Sequence, residues 1–305
     1  MQNLAPIALF VYNRPEHTRR TISYLKKNLL AEESRLFIFS DGPKTTAEIA
    51  NVEQVRQIAL QTTGFKAVKV INSDVNMGLA NSIISGVSRL VKEYGKVIVF
   101  EDDLLSSPYT LQYFNNALNR YAEHEQVMHI SAYMFDLKKK DLAETFFFRA
   151  AFSWGWATWD RAWANFEPDV ETLIAQFDAD KINRFSIDGT MNFWKQIQDF
   201  KAGKNNSWAI RWYASIFLKG GLTLNPRDSL IHNIGHDGTG VHSNIENTYQ
   251  VQMARKPVNS FPSVIQEDQH AYTAIRYFLK NRKGNILKRG LRLMKQIRIK
   301  YLMRR

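Results

Sequence analysis

Three acids in a row, Glu101-Asp102-Asp103, follow directly on the apolar run Lys96-Val97-Ile98-Val99-Phe100. On a surface turn such a trio is a solvated patch. At the carboxyl end of a buried strand it can hold a hard cation against a phosphorylated ligand, because open α/β sheets bind ligands at that edge. Two further stretches carry chemistry. Four tryptophans (Trp154, Trp156, Trp159, Trp163) fall within ten residues. An indole face suits the apolar C–H side of a pyranose as well as it suits a protein core, so Trp154 and Trp156 are read both as a sugar platform and as a core corner. From Asn233 to His242 there are three glycines and two histidines. Such a loop lets backbone approach a ligand closely, while His236 and His242 lack a third partner for zinc.

The elements that must position these residues are legible from periodicity. Ile7 to Tyr12, Leu36 to Phe39, Ala67 to Ile71 and Lys96 to Phe100 read as strands. Between them the spacing predicts helices faced by Ile22, Leu25 and Leu29, by Val52, Val55 and Ala59, and by Leu79, Ile83, Val87 and Leu90. Pro15 suits a first helical turn, and Thr45 with Glu48 makes a capping box. After the acids, Ser107 and Pro108 open a helix carrying Leu111, Phe114, Leu118 and Tyr121. Strands alternating with helices predict an α/β fold, a mostly parallel sheet with right-handed crossovers. No glycine-rich phosphate loop follows the first strand, which argues against a dinucleotide dehydrogenase and a Walker-type nucleotidase.

From Gln126 the rhythm changes to short strands (Val127 to Ser131, Phe146 to Arg149), the tryptophan segment, a polar helical stretch to Lys204, and an apolar helix opened by Ser207 and ended by Gly220-Gly221. The expected organisation is a nucleotide-binding α/β half over 1–125, a second half over 126–270 and a basic amphipathic tail over 271–305. The 305 residues can bury a full core, and 45% hydrophobic residues exclude a mainly disordered chain. The absence of cysteine excludes disulfides, thiolate zinc sites and cysteine nucleophiles. No run is long and apolar enough to span a bilayer, and no signal peptide is read at the amino terminus. Of the net charge of +12, eleven positive residues and no acid lie between Lys280 and Arg305, so the rest of the chain is near neutral. With Leu287, Leu291, Met294, Tyr301 and Leu302 on one side, interrupted by Arg298, the tail predicts a helix lying on anionic lipid, or packed on the body with a basic end. No nucleic-acid recognition module stands beside it, so no nucleic acid is expected as a partner.

At Glu101-Asp102-Asp103 the chain resembles nucleotide-sugar glycosyltransferases of the GT-A (Rossmann-like) fold, with helices on both sheet faces. Within them it is similar to bacterial relatives of the Golgi N-acetylglucosaminyltransferase that starts complex N-glycans, and to glycosyltransferase family 2. The likeness spans about residue 6 to 245 and rests on four segments: Val11 to Arg20, Ser40-Asp41-Gly42, Val99 to Leu104, and Pro226 through Ser229, Gly235 and Gly238 to His242. It implies that Arg14, with Asn13 beside it, contacts the nucleotide, that Asp41 accepts the uracil N–H, that Glu101 and Asp102 meet ribose and donor sugar, and that Asp103 binds magnesium or manganese. The last segment implies a loop closing over the donor. Near Trp208 the family carries an aspartate taken as the base, whereas this chain has Ala209 and Ile210. Asp237 and Asp160 are the candidate bases, and Arg211 or His242 the candidate positive charge at the diphosphate.

The resemblance implies metal-dependent, inverting transfer of a sugar, uridine-linked, to a hydroxyl of a glycan or lipid-linked glycan acceptor in bacterial surface polysaccharide or lipopolysaccharide synthesis. The expected place is the cytoplasmic face of the cell membrane. Two alternatives stand beside it. A sugar-nucleotide nucleotidyltransferase would share the α/β layer and acidic site, and a non-catalytic carbohydrate- or membrane-binding protein would use the tryptophans and tail alone.

Overall fold

The apolar runs that open the chain are rich in β-branched and aromatic residues, and each becomes a parallel strand in the computed structural model, which describes residues 4–137, 141–235 and 249–282. β1 (Ile7–Val11) is buried along its whole length because it is flanked on both sides. After α1 (Pro15–Lys26) comes β2 (Arg35–Ser40), then a 3₁₀ turn over Thr46–Glu48, α2 (Ile49–Leu60), β3 (Ala67–Asn72), α3 (Leu79–Tyr94) and β4 (Lys96–Glu101). Gly78 and Gly95 bracket α3, both at φ 76°. Gly95 closes it in the left-handed conformation that a side chain would strain. The predicted faces are found: Ile22 and Leu25, Val52, Val55 and Ala59, and Ile83, Val87 and Leu90 are buried, whereas Leu29 and Leu79 are exposed.

The second half adds β5 (Leu104–Ser106), α4 (Thr110–Arg120), β6 (Val127–Ser131), β7 (Thr145–Phe148), β8 (Trp156–Trp159), α5 (Asp160–Trp163), α6 (Val170–Ile174), α7 (Ala179–Phe185), α8 (Phe193–Lys201), α9 (Trp208–Leu218), β9 (Leu222–Pro226), β10 (Ile231–Asn233) and α10 (Gln269–Asn281). One eight-stranded sheet runs through both halves in the order β3-β2-β1-β4-β8-β6-β9-β7. β8 lies antiparallel between β4 and β6, and β7 antiparallel to β9; the other six strands run one way. Helices cover both faces. Phe10 packs against Gly86 of α3, whereas Phe100, level with the neighbouring Leu9, meets Phe114 of α4. This mixed α/β, mostly parallel architecture agrees with the GT-A-like fold the resemblance predicts.

Three local expectations are corrected. The helix after the acids begins at Thr110, not Pro108, because Leu104–Ser106 is drawn into a ribbon with Ile231–Asn233, over a hundred residues away in sequence. Part of the tryptophan segment is the strand β8. Residues 271–282 belong to the folded body: α10 buries Ala271, Tyr272, Ile275 and Leu279, and Glu267 just before it pairs with Arg149. The basic stretch from Gly284 lies outside the described residues.

Candidate functional site

Register places the chemistry. Phe10 of β1 is level with Glu101 of β4, and Val11 with Ser40 of β2, so the residues that follow the three strands emerge side by side on one edge. Arg14, the cap of α1, reaches across that edge to Asp102 and, at 2.9 Å, to Asp103. The Thr21 hydroxyl on α1 donates to the Asp102 carbonyl at 2.7 Å, which fixes the backbone between the two aspartates. Three carboxylates around one guanidinium leave an excess of negative charge in a poorly solvated corner. Burial, and then the charges of Asp103 and Asp102, push the Glu101 carboxyl up to about 8. Burial likewise raises Asp102, to about 6, against the pull of Arg14 and a smaller contribution from His17. Burial works against the charge on Arg14, but the two aspartates outweigh it and hold its pKa up.

The late loop is brought to the same place. β10 pairs with β5, and the Ile234 N–H donates to the Asp103 carbonyl at 2.9 Å. Gly235 then lies so close that a Cβ would stand 2.2 Å from Asp103 Oδ2. Only glycine leaves the carboxylate where it is. Asp237 and His242, further along, lie outside the described residues.

Asp41 and Asn13 stand on the rim formed by the loops after β2 and β1. The Asp41 carboxylate accepts from the N–H groups of Gly42 (2.9 Å), Met77 (2.8 Å) and Gly78 (2.9 Å) and from Asn76 Nδ2 (3.3 Å). It therefore clamps the turn that starts α3. Asn13 Nδ2 donates to Glu48 Oε1 at 3.0 Å.

The cation that the resemblance implies can be tested against these donors. Glu101, Asp102 and Asp103 offer hard oxygens only, the set magnesium and manganese take. Among the described residues no three such side chains are grouped as a closed metal cage. An ion shared with a substrate diphosphate needs just one or two carboxylates. Asp103, cradled by Gly235, fits that need.

Other expected residues fall elsewhere. Asp160 opens α5 with its N–H on the Gly95 carbonyl at 2.9 Å, beside the start of β4. The six residues of β4 span roughly 16 Å, so Asp160 sits at the opposite edge of the sheet and cannot serve a ligand at the acids. Arg211 is buried on α9, donates to the carbonyls of Ser207 (3.3 Å) and Pro168 (3.1 Å), and lies over the Phe200 ring; packing absorbs its charge. Trp156 is fully buried, stacked on His129 at 5.2 Å and Trp208 at 5.1 Å, which makes it core and not a platform. Trp154 is different. It precedes β8, whose start is level with Val99 near the carboxyl end of β4, and it is only partly buried, against Tyr133 at 4.5 Å.

Sequence reading missed Asp136, Thr21 and the side-chain role of Glu48. Asp136 is exposed on the loop after β6, a strand parallel to β4 across β8, so it emerges at the same edge as the acids. Its only sequence signal is its place a few residues beyond a strand.

No family model matches the chain, and no curated protein matches it at a significant level. Among solved structures it is similar to the mannosyltransferase PcManGT from Pyrobaculum calidifontis in complex with GDP-Man and Mn2+, at 12% identity and a TM-score of 0.35, over 72% of this chain and 73% of that one. It is also similar to TarS of S. aureus, at 16% identity and a TM-score of 0.29, over 46% of this chain and 23% of that one. At these scores neither likeness bears on function.

Proposed function

We propose that the protein is a glycosyltransferase that moves a sugar from a nucleoside diphosphate donor to a hydroxyl acceptor. The observation that carries the reading is the convergence of Arg14, Asp102 and Asp103 at the carboxyl edge of β1 and β4, with the Gly235 backbone seated on Asp103. That edge offers one cationic fork and an oxygen-donor set side by side, which suits a diphosphate better than a neutral ligand.

Arg14 would meet phosphate oxygens, with Asp102 holding its guanidinium in position. Glu101 faces the same corner and, while protonated, can donate to a ribose or sugar oxygen. A magnesium or manganese ion on Asp103 would supply Lewis-acid stabilisation of the departing diphosphate. Attack from the opposite face of the sugar, which inverts the anomeric carbon, needs a general base on the acceptor side. Asp136, which follows β6, is one carboxylate the described residues offer at that edge, Asp228, which follows β9, is another, and Asp237 is the candidate by sequence. Trp154 precedes β8, the strand between β4 and β6, and is the partly buried ring on which a pyranose face could rest. The acceptor we favour is a lipid-linked or surface glycan of a bacterium, with the basic residues from Lys280 onward drawn to anionic lipid.

The test is calorimetric titration with uridine and guanosine diphosphate sugars, with and without Mn2+, beside Asp103→Ala. The expected result is that one class binds in a manner dependent on Mn2+ and weakens at least about tenfold in the variant, about 1.4 kcal/mol. A preference for a nucleoside triphosphate would turn the reading to a nucleotidyltransferase, and no binding of any nucleotide would remove it. Turnover of Asp136→Asn, Asp228→Asn and Asp237→Asn then assigns the base.

A further inference from the structure

Glu48 sits where two loops of the site edge meet. Its Oε2 accepts from the Tyr12 hydroxyl (2.8 Å), from the backbone N–H groups of Thr45 (3.0 Å) and Lys44 (3.1 Å) and from the Thr45 hydroxyl (3.3 Å). Its Oε1 accepts from Asn13 Nδ2 at 3.0 Å. The Lys44 N–H also donates to the Tyr12 oxygen at 3.0 Å, so the contacts close into a ring. A capping box needs only the Thr45 contact. Those from Tyr12 and Asn13 come from the loop after β1, outside the capped turn.

Tyr12 and Asn13 immediately precede Arg14, and Lys44 follows Asp41 by three residues. One carboxylate therefore ties the loop that carries Arg14 to the loop that carries Asp41. Neither loop has strand pairing at these positions to hold it. We propose that Glu48 is a positioning residue for donor binding: by joining Tyr12 and Asn13 to Lys44 and Thr45 it fixes the nucleotide-side rim in the geometry that Arg14 requires. This rests on the nucleotide-sugar reading of the site. Glu48 acts through its neighbours and touches neither the reacting atoms nor the acids. Losing it frees two loops whose relative placement sets the phosphate contact, and small displacements of such contacts are costly.

The experiment measures UDP and GDP binding with Mn2+ by calorimetry, donor KM and kcat, and thermal melting, for the wild type, Glu48→Ala, Glu48→Gln and Tyr12→Phe. The expected result is that Glu48→Ala weakens the nucleotide bound by the wild type by about tenfold, with the kinetic loss falling on donor KM more than on kcat. Glu48→Gln should recover much of that loss, because its amide oxygen can take the Tyr12 and backbone donors while the Asn13 amide flips to accept from its NH2. Tyr12→Phe, which removes one contact and little volume, should weaken binding in the same direction and carries the test if Glu48→Ala does not fold. A lower melting temperature with unchanged nucleotide affinity in folded variants would overturn the proposal, since that is what a purely structural cap does. Failure of the wild type itself to bind either nucleotide would overturn the glycosyltransferase reading, a result visible without any variant.

Discussion

At the scale of single residues, the same chemical type is put to opposite uses by its surroundings. Asp103 and Asp102 share a guanidinium, whereas Asp41 spends its carboxylate on four donors of its own chain. His129 makes the point most sharply. Its Nδ1 accepts from Trp212 Nε1 at 3.1 Å, which leaves the proton on Nε2 to donate to the Phe152 carbonyl at 3.1 Å. Burial pulls its pKa down to about 4, so it is neutral in the fold. Between that value and its ordinary 6.5 the unfolded chain binds more protons than the folded one, so this contribution to stability is present above about pH 6.5 and is lost as pH falls toward 4. Chemical denaturation of wild type and His129→Gln across pH 4 to 7.5 should show the wild-type advantage shrinking with acid. A difference independent of pH would show that His129 does not titrate this way.

At the scale of elements, β8 decides what the tryptophans do. Alternation along a strand sends neighbouring side chains to opposite faces, and pairing with both β4 and β6 buries each of them. Trp156 is locked into a stack with His129 and Trp208, while Trp154 stands before the strand begins, beyond a Gly155 at φ 68°. Trp156→Ala should therefore cost about 3–5 kcal/mol in urea denaturation, and Trp154→Ala clearly less, with its effect on acceptor KM. Equal stability losses would mean that both rings are core.

At the scale of the whole molecule, the direction of strands sorts residues between two edges. The six parallel strands deliver their carboxyl ends to one side, and β8 returns the chain to the other, taking Asp160 with it. If the protein is the glycosyltransferase proposed, Asp160→Asn should leave its turnover within about twofold of wild type, since general-base loss costs about a hundredfold or more. A fall of that larger size in kcat would contradict the placement. The sheet also explains why the two halves are not separable at residue 125: β4 belongs to the first, its neighbour β8 to the second, and backbone hydrogen bonds join them.

Much of the first half was legible in the sequence because its order is local. Periodicity marked β1 to β4 within a residue or two and most of the buried helix faces, although Leu29 falls past the end of α1 and α2 starts after a 3₁₀ turn, and the three acids announced themselves by following a buried run. Ile234 and Gly235 reach Asp103 through the pairing of β10 with β5, a contact that no local spacing announces. What needed the tertiary structure was everything set by partners distant in sequence. Leu104–Ser106 is a strand only because Ile231–Asn233 lies against it, and Asp160 and Asp136 read alike until strand direction puts them at opposite edges. Glu48 looked like a helix cap because its second set of contacts comes from residues 35 and 36 positions away. Sequence alone determined which groups the chain owns and which strands carry them. Only the folded sheet, where hydrogen-bonded register converts sequence distance into adjacency, decided which of those groups face one another.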